Sequence, residues 1–171
     1  MMEFRFAVSD DISEINKITE QAKSQLRMLN TDQWQKGYPS EEVWREDIKN
    51  NMAYVAVENG SILGVFAFQT TDDVSYGEIE GEWLTDTPYA SIHRVCVADR
   101  AKGKGVAGEI FRHGFIMAKA LGFKSVRIDT HQDNVPMQRA LIKSGFRKCG
   151  KITLMDGCEK GDPRVAFEYV L

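Results

Sequence analysis

The stretch KGKGVAGEIF, residues 102–111, fits two patterns that predict different folds. Its three glycines spell G-x-G-x-x-G, which is typical of the turn that holds the pyrophosphate of a dinucleotide. The same letters also place a basic residue, Lys102, three positions before Gly105 and a small residue, Ala107, two positions after it. The two patterns predict different cofactors, so the flanking elements must decide between them.

The preceding strand ends too early for a dinucleotide turn. The apolar run YASIHRVCV predicts a buried strand over 89–97, and Gly103 follows its end by six positions. A dinucleotide turn has its first glycine almost directly after the strand. A Walker loop is excluded because no glycine-lysine pair precedes serine or threonine. The remaining interpretation is a basic, glycine-rich loop that precedes a helix over 105–121. The backbone N–H groups of such a loop can bind a phosphate. The alternative interpretation of the same residues is a solvated turn.

The rest of the chain predicts an α/β protein with the order β-α-α-β-β-β-α-β-α-β-β. A strand at 3–8 precedes two helices, and the pair Asn59-Gly60 predicts a tight hairpin turn between two strands within 52–69. An acidic connection over 71–88 leads to the strand at 89–97. Further expected elements are a strand at 124–129, a helix at 134–144 and two final strands near 146–154 and 164–170. Seven strands and about four helices result.

The bulk composition narrows the class of protein. A chain of 171 residues with 43% hydrophobic residues predicts a single globular domain over 1–171. The net charge of -3 argues against nucleic acid as a partner, and no apolar run is long enough for a membrane span. The cysteines Cys96, Cys149 and Cys158 show no metal-binding spacing and predict reduced thiols in a cytoplasmic protein without a metal.

Residues 95–146, which begin VCVADRAKGKG and end IKSGF, resemble the acetyl-CoA-binding core of the Gcn5-related N-acetyltransferases (GNAT family). The predicted element order also matches that family along nearly the whole chain. The resemblance implies a single-domain GNAT-like fold with a mixed, mostly antiparallel seven-stranded sheet. In the family, Arg or Gln begins the signature five residues after the strand, which places it at Lys102, Gly105 and Ala107. Lysine in the first position is a departure from the family pattern.

The resemblance implies acetyl-CoA as cosubstrate and assigns residues to it. The pyrophosphate would lie on the backbone of 102–107, and the pantetheine arm would lie in a slot beside the strand through Val95 and Val97. The amide of Val95 would face the thioester carbonyl. Asn134 matches an asparagine that contacts this arm, although a helix cap is an equally good interpretation. The implied loop residues are Lys102, Gly103, Lys104, Gly105, Val106 and Ala107.

Acetyl transfer to an amine requires the neutral amine, and an alkylammonium has a pKa of about 10.4. His93 is the predicted general base, because imidazole titrates near neutral pH. Arylalkylamine N-acetyltransferases have histidines at positions that match Ser91 and His93, so both are assigned to the catalytic face, although Ser91 cannot act as such a base. Strand alternation predicts that His93 shares this face with Ser91 and Val95. A histidine bonded within the core is the alternative.

The resemblance implies an acceptor pocket between the first two helices, where Gln33, Trp34 and Tyr38 would bind the substrate. For Trp34, a side chain that caps the core is an equally good interpretation. Six acidic residues and no basic one occur from 72 to 86, a run that is typical of a solvated loop but would also attract a cationic amine. The tyrosine that often protonates the thiolate in this family is replaced by Leu141. The predicted function is direct acetyl transfer from acetyl-CoA to a primary amine of a small molecule or peptide. A non-catalytic acyl-CoA-binding or sensing module and a homodimer remain open alternatives.

Overall fold

The computed structural model describes residues 1–171 and contains one mixed sheet of eight strands in the order β1-β2-β3-β5-β6-β8-β7-β4. Every neighbouring pair is antiparallel except β5 and β6. The strands are β1 (Glu3–Phe6), β2 (Ala53–Glu58), β3 (Ser61–Gln69), β4 (Glu80–Gly81), β5 (Tyr89–Val97), β6 (Ser125–Thr130), β7 (Arg147–Thr153) and β8 (Pro163–Val170). The helices are α1 (Ile12–Met28), α2 (Glu41–Lys49), α3 (Val106–Ala120) and α4 (Val135–Lys143). The mostly antiparallel sheet is confirmed, and so is the predicted element order except for one additional strand.

The count of seven strands was wrong by one, because β4 forms inside the acidic connection. Gly81 of β4 and Gly150 of β7 lie opposite each other, and both have positive φ values, 131° and 152°. A Cβ atom on either glycine would collide with the backbone of the other strand. A strand of two residues shows no hydrophobic periodicity, so the sequence could not reveal it.

The helices cover both faces of the sheet. Gly64 of β3 faces Val106 and Ile110 of α3, whereas α2 packs on α1 across the opposite face, where the indole of Trp44 donates to the hydroxyl of Thr19. The hairpin turn has left-handed φ values at both of its central residues, as the Asn-Gly pair predicts. No helix has the length and the apolar character that crossing a membrane requires.

Strands β5 and β6 diverge after three pairs of residues. Tyr89–Ser91 pair with Ser125–Arg127, and beyond this point no residue of β5 pairs with a residue of β6. Strand β5 stays paired with β3 up to Val97, and β6 stays paired with β8 up to Thr130. The sheet therefore opens into a slot along the second half of β5.

A β-bulge in β5 changes which side chains face this slot. Arg94 and Val95 together stand opposite the single residue Phe66, and Arg94 has a left-handed φ of 54°. The extra residue reverses the alternation, so Val95 and Val97 face the α3 side, whereas His93 and Arg94 face the α1 and α2 side. The expectation that His93 and Val95 share a face was wrong for this reason.

Candidate active site

A cleft of about 1030 Å³ follows the slot between β5 and β6. It runs from the loop before α3 to the segment between α1 and α2. The residues predicted from the sequence that line it are Gln33, Trp34, Tyr38, His93, Val95, Val97, Lys102, Gly103, Gly105, Val106, Ala107 and Asn134. Ser91 and Lys104 do not line it. Ser91 is fully buried, so its hydroxyl cannot touch a substrate.

The loop before α3 presents free backbone N–H groups to one end of the cleft. Gly103 and Gly105 have φ values of 75° and 77°, and a Cβ on either would meet nothing within 4 Å. The first amides of α3 have no acceptor within the helix. The resemblance assigns the whole backbone of 102–107 to the pyrophosphate. The amides of Lys102 and Lys104 are not free for this role, because they already donate to the carbonyl groups of Asp99 and Ala101 at 3.3 Å. The free amides are therefore those of the glycines and of the first helical turn.

Asn134 performs the helix-cap role that the sequence offers as one of two interpretations. Its side-chain Oδ1 accepts a hydrogen bond from the backbone N–H of Met137 at 3.3 Å, at the start of α4. The residue also lines the cleft. Its contact with a pantetheine arm stays a prediction.

His93 lies deep in the middle of the cleft beside a carboxylate. Its Nε2 is 3.0 Å from Oγ of Ser91 and 3.2 Å from Oδ2 of Asp73. Burial lowers the pKa of His93 to about 3, and the Arg94 cation acts in the same direction, whereas the carboxylate of Asp73 would favour the charged form. We take burial to dominate, so the imidazole is neutral near pH 7. This value differs from the near-neutral pKa on which the prediction of a general base depended.

A second titratable group, Asp129, faces the same cleft from the end of β6. Its Oδ2 accepts a hydrogen bond of 2.7 Å from the hydroxyl of Tyr76, which is itself buried. Burial raises the pKa of Asp129 to about 6; the Tyr76 hydrogen bond and Arg164 oppose that rise, whereas Asp73 and Glu159 add to it. Asp129 is the last residue of the strand predicted over 124–129, and this position is a signal that could have indicated its place in the site. Tyr76 lies 53 residues earlier in the chain, and no sequence signal indicated that it belongs to the site.

The end of the cleft at which the acceptor is predicted to bind contains a buried ion pair between Glu159 and Arg164. Trp34 has a left-handed φ of 63°, and its backbone N–H donates to Oε2 of Glu159 at 2.7 Å. Glu159 is also 3.2 Å from Nη2 of Arg164, in an orientation that falls outside a hydrogen bond. Glu159 belongs to the β7–β8 connection, which the sequence did not indicate as part of the site. The other wall is Tyr38, whose hydroxyl accepts from Arg94 at 2.9 Å.

Gln33 and Leu141 differ in their access to the cleft. Gln33 lines the cleft, and its buried Oε1 has no hydrogen-bond partner. Leu141 is fully buried in the core. Because a leucine side chain has no ionisable group, the position where the family often has tyrosine cannot supply a proton here. No group of three or more His, Cys, Asp or Glu residues is arranged to hold a metal ion.

The chain matches the model of the acetyltransferase (GNAT) family over residues 21–146. A GNAT-family acetyltransferase from Streptococcus agalactiae 2603 is 33% identical, with a TM-score of 0.87 over 99% of this chain and 95% of that one. An N-acetyltransferase from Staphylococcus aureus Mu50 is 21% identical, with a TM-score of 0.69 over 99% and 98%. A ribosomal-protein-alanine N-acetyltransferase from Brucella melitensis is 14% identical, with a TM-score of 0.68 over 99% of each chain. The last two likenesses show the fold alone.

No curated protein sequence matches this chain. The family model nevertheless spans most of the chain, and the Streptococcus structure is similar over almost all of it. The chain therefore belongs to the acetyltransferase (GNAT) family. It is an acetyltransferase, and the GNAT family to which it belongs acts on amine acceptors.

Proposed function

We propose that this enzyme moves an acetyl group from acetyl-CoA directly to a primary amine of a small molecule or peptide. One observation supports this function above the others: the slot between β5 and β6 ends at the glycine loop of α3. An extended ligand with phosphates at one end and a thioester at the other fits that shape. The backbone of β5 beyond Ser91 has no partner strand on this side, so its N–H and C=O groups are free to pair with an amide-bearing arm.

The residues of the loop fit the pyrophosphate. The amides of Gly103, Gly105 and the first turn of α3 donate to no backbone carbonyl, and they lie at the positive end of a helix of 15 residues. The side chain of Lys102 lines the same end and adds a positive charge. Val95 stays assigned to the thioester end of the slot.

The charge of the other end favours a cationic acceptor. Four carboxylates line the cleft there, and each of the two arginines is already paired with a carboxylate, Arg94 with Asp47 and Arg164 with Glu159. A negative surface of low dielectric attracts an ammonium group. The carboxylates are Asp73, Asp129, Asp156 and Glu159. We propose that Gln33, Trp34 and Tyr38 form the wall against which the amine-bearing group packs.

His93 would contact the reacting amine as a neutral group. Because Nε2 lies beside the carboxylate of Asp73, this nitrogen carries the hydrogen and the lone pair is on Nδ1. A neutral imidazole accepts a hydrogen bond from an amine and orients it. A pKa of about 3 makes the same imidazole a weak acceptor for a full proton from an ammonium whose pKa is about 10.4.

Thermal unfolding with different cofactors tests the cosubstrate. Coenzyme A at about 100 times its Kd should stabilise the protein by about 2.7 kcal/mol, which corresponds to a rise in Tm of roughly 5 to 11 °C. NAD at the same concentration should give no rise. Stabilisation by NAD and not by coenzyme A would contradict the proposed cosubstrate.

Release of free thiol from acetyl-CoA tests the transfer. The acceptor panel should include a simple diamine, tyramine, lysine and a short peptide with a free N-terminus, each compared with its N-acetylated form. Thiol release that requires the free amine is the expected result. Coenzyme A binding without amine-dependent thiol release would favour the non-catalytic module and would overturn the proposed function.

A further inference from the structure

We propose that Asp129, oriented by Tyr76, is the catalytic residue that takes the proton from the acceptor ammonium. This inference rests on the proposed function, because it concerns the amine that the acetyl group reaches. Asp129 lies one residue before the end of β6, beyond the last residue pair that joins β6 to β5, and it lines the same cleft as His93.

The two oxygens of Asp129 have different surroundings. The hydroxyl of Tyr76 donates to Oδ2 at 2.7 Å and fixes the orientation of the carboxylate. Oδ1 has no hydrogen-bond partner in the fold, and the residue keeps partial exposure toward the cleft. Tyr76 is 2% exposed, and its ring packs against Tyr89, Trp83 and the ring of His93. One oxygen is therefore held by a rigid donor and the other is free for a substrate, which is the arrangement a general base requires.

The charges around Asp129 come from every element that packs on it. Asp73 in the β3–β4 connection and Glu159 in the β7–β8 connection raise its pKa, and Arg164 of β8 lowers it. Tyr38 between α1 and α2 also lies within range of its charge. Burial is the largest effect, and the pKa reaches about 6. At neutral pH the group is thus ionised but far more basic than an ordinary aspartate, whereas His93 has a pKa of about 3.

The proposed reaction removes two protons from the acceptor nitrogen. The ammonium gives one proton to Oδ1 of Asp129, which becomes a neutral carboxylic acid, and the nitrogen keeps the electron pair of the broken N–H bond. This pair forms the new C–N bond to the thioester carbonyl carbon, and the electrons of the C–S bond leave with the sulfur. The sulfur takes the second proton of the nitrogen, which yields an amide and a free thiol. Asp129 then returns its proton to water.

Three variants separate this assignment from a base at His93. With the best amine of the panel, Asp129→Asn should lower kcat/KM by about 10²-fold or more and remove the acidic limb of the pH profile. His93→Gln should keep that limb. Tyr76→Phe removes a hydrogen bond that stabilises the carboxylate, so the limb should move to higher pH. The matched control is Asp86→Asn, which removes one exposed carboxylate outside the cleft and should change neither kcat/KM nor the limb.

Infrared spectroscopy gives a readout that needs no substrate. The C=O band of a protonated carboxyl should titrate near pH 6 in the free enzyme, vanish in Asp129→Asn and titrate at higher pH in Tyr76→Phe. An unchanged coenzyme A shift in Asp129→Asn would show that the variant is folded. Full activity of this variant with an unaltered limb, or loss of the limb in His93→Gln alone, would overturn the inference and leave the proposed function intact. Absence of amine-dependent thiol release in the unmodified enzyme would overturn both.

Discussion

Arg94 is the residue whose local conformation shapes the centre of the cleft. Its guanidinium forms two hydrogen bonds with the carboxylate of Asp47, at 2.8 and 2.9 Å, and a third with Tyr38. The two charged side chains are only 13% and 8% exposed. Removing one partner of a buried ion pair leaves the other charge uncompensated and costs about 3 to 5 kcal/mol. Asp47→Ala should therefore lower the free energy of unfolding by roughly this amount in urea denaturation.

The control is Glu46→Ala in the same helix. Glu46 is exposed and bonds only to Asn50, so its loss should change the free energy of unfolding by less than about 0.5 kcal/mol. If the free energy of unfolding falls equally little in the two variants, the Arg94 cation does not need the Asp47 carboxylate in the folded state.

Gly105 is the residue of the glycine loop whose substitution tests the proposed phosphate site. A glutamate at this position would place a side chain and a negative charge where the proposed pyrophosphate lies, so Gly105→Glu should abolish the Tm shift by coenzyme A. Gly122→Glu is the matched control, because Gly122 has a similar φ of 84° and open space around it but lies at the far end of α3. Both variants bear the same backbone strain, about 1 to 2 kcal/mol. A coenzyme A shift that persists in Gly105→Glu would contradict the phosphate site.

The sequence predicts those residues of the site that belong to a motif or to a clear strand pattern. It does not predict contacts between residues that are far apart in the chain. The loop glycines, His93 and Tyr38 line one cleft, as the resemblance implies. The pairing of Tyr76 with Asp129 joins residues 53 positions apart. Glu159 meets Trp34 from 125 positions away. No local sequence pattern indicates such contacts. The contacts bury the side chains, and this burial changes the pKa of each titratable group.

At the scale of elements, β4 anchors the acidic connection that contains Asp73 and Tyr76. The N–H of Glu82 donates to the carbonyl of Cys149, and Gly150 leaves room for the backbone of β4. Gly150→Ala should detach β4, because its Cβ would collide with the carbonyl of Glu80. Amide hydrogen exchange over 80–82 should become faster, and the free energy of unfolding should fall by about 1 to 3 kcal/mol.

Gly161→Ala is the control for backbone strain alone. Gly161 has a φ of 95°, and a Cβ atom added to it would meet nothing within 4 Å, so alanine adds strain without a collision. Exchange over 80–82 should stay unchanged in this variant. Faster exchange in both variants, or in neither, would show that the close approach of the two glycines does not hold β4.

The elements that the sequence predicts well are those with a strong local signal. The hairpin at Asn59 and the helix that begins after Ser40 are marked by turn and capping residues, and Ser40 indeed accepts from the N–H of Val43. The bulge at Arg94 has no such mark, since arginine is not a residue that favours a left-handed backbone. One inserted residue was enough to reverse the predicted face of Val95.

At the scale of the whole molecule, the sheet consists of two halves of four strands that meet only at the short β5–β6 pairing. A buried network reinforces this joint. Glu168 of β8 is fully buried and accepts from Ser125, Arg127 and Thr85. Arg127 in turn donates to the backbone carbonyl of Thr85. The halves are thus fixed at one end and open at the other, so a ligand in the slot would contact both.

Asp129 connects the chemistry of this slot with the stability of the fold. Its pKa rises from 3.8 to about 6 on folding, so the folded state binds more protons than the unfolded state between these values. Stability contributed by this group is therefore present below pH 3.8 and is lost as the pH rises through 6. The loss corresponds to about 2 to 3 kcal/mol at roughly 1.36 kcal/mol per pKa unit.

Asp129→Asn should consequently stabilise the protein at pH 7 to 8 while it lowers activity. An asparagine keeps an oxygen that accepts from Tyr76 but never ionises, so the buried charge disappears. The difference in the free energy of unfolding between the variant and the unmodified enzyme should be largest above pH 6 and shrink toward pH 4, where both side chains are neutral. Urea denaturation at several pH values measures this difference directly, and shifts of the other groups cancel in it. A difference that is independent of pH would contradict the raised pKa of Asp129 and, with it, the physical reason for its basicity.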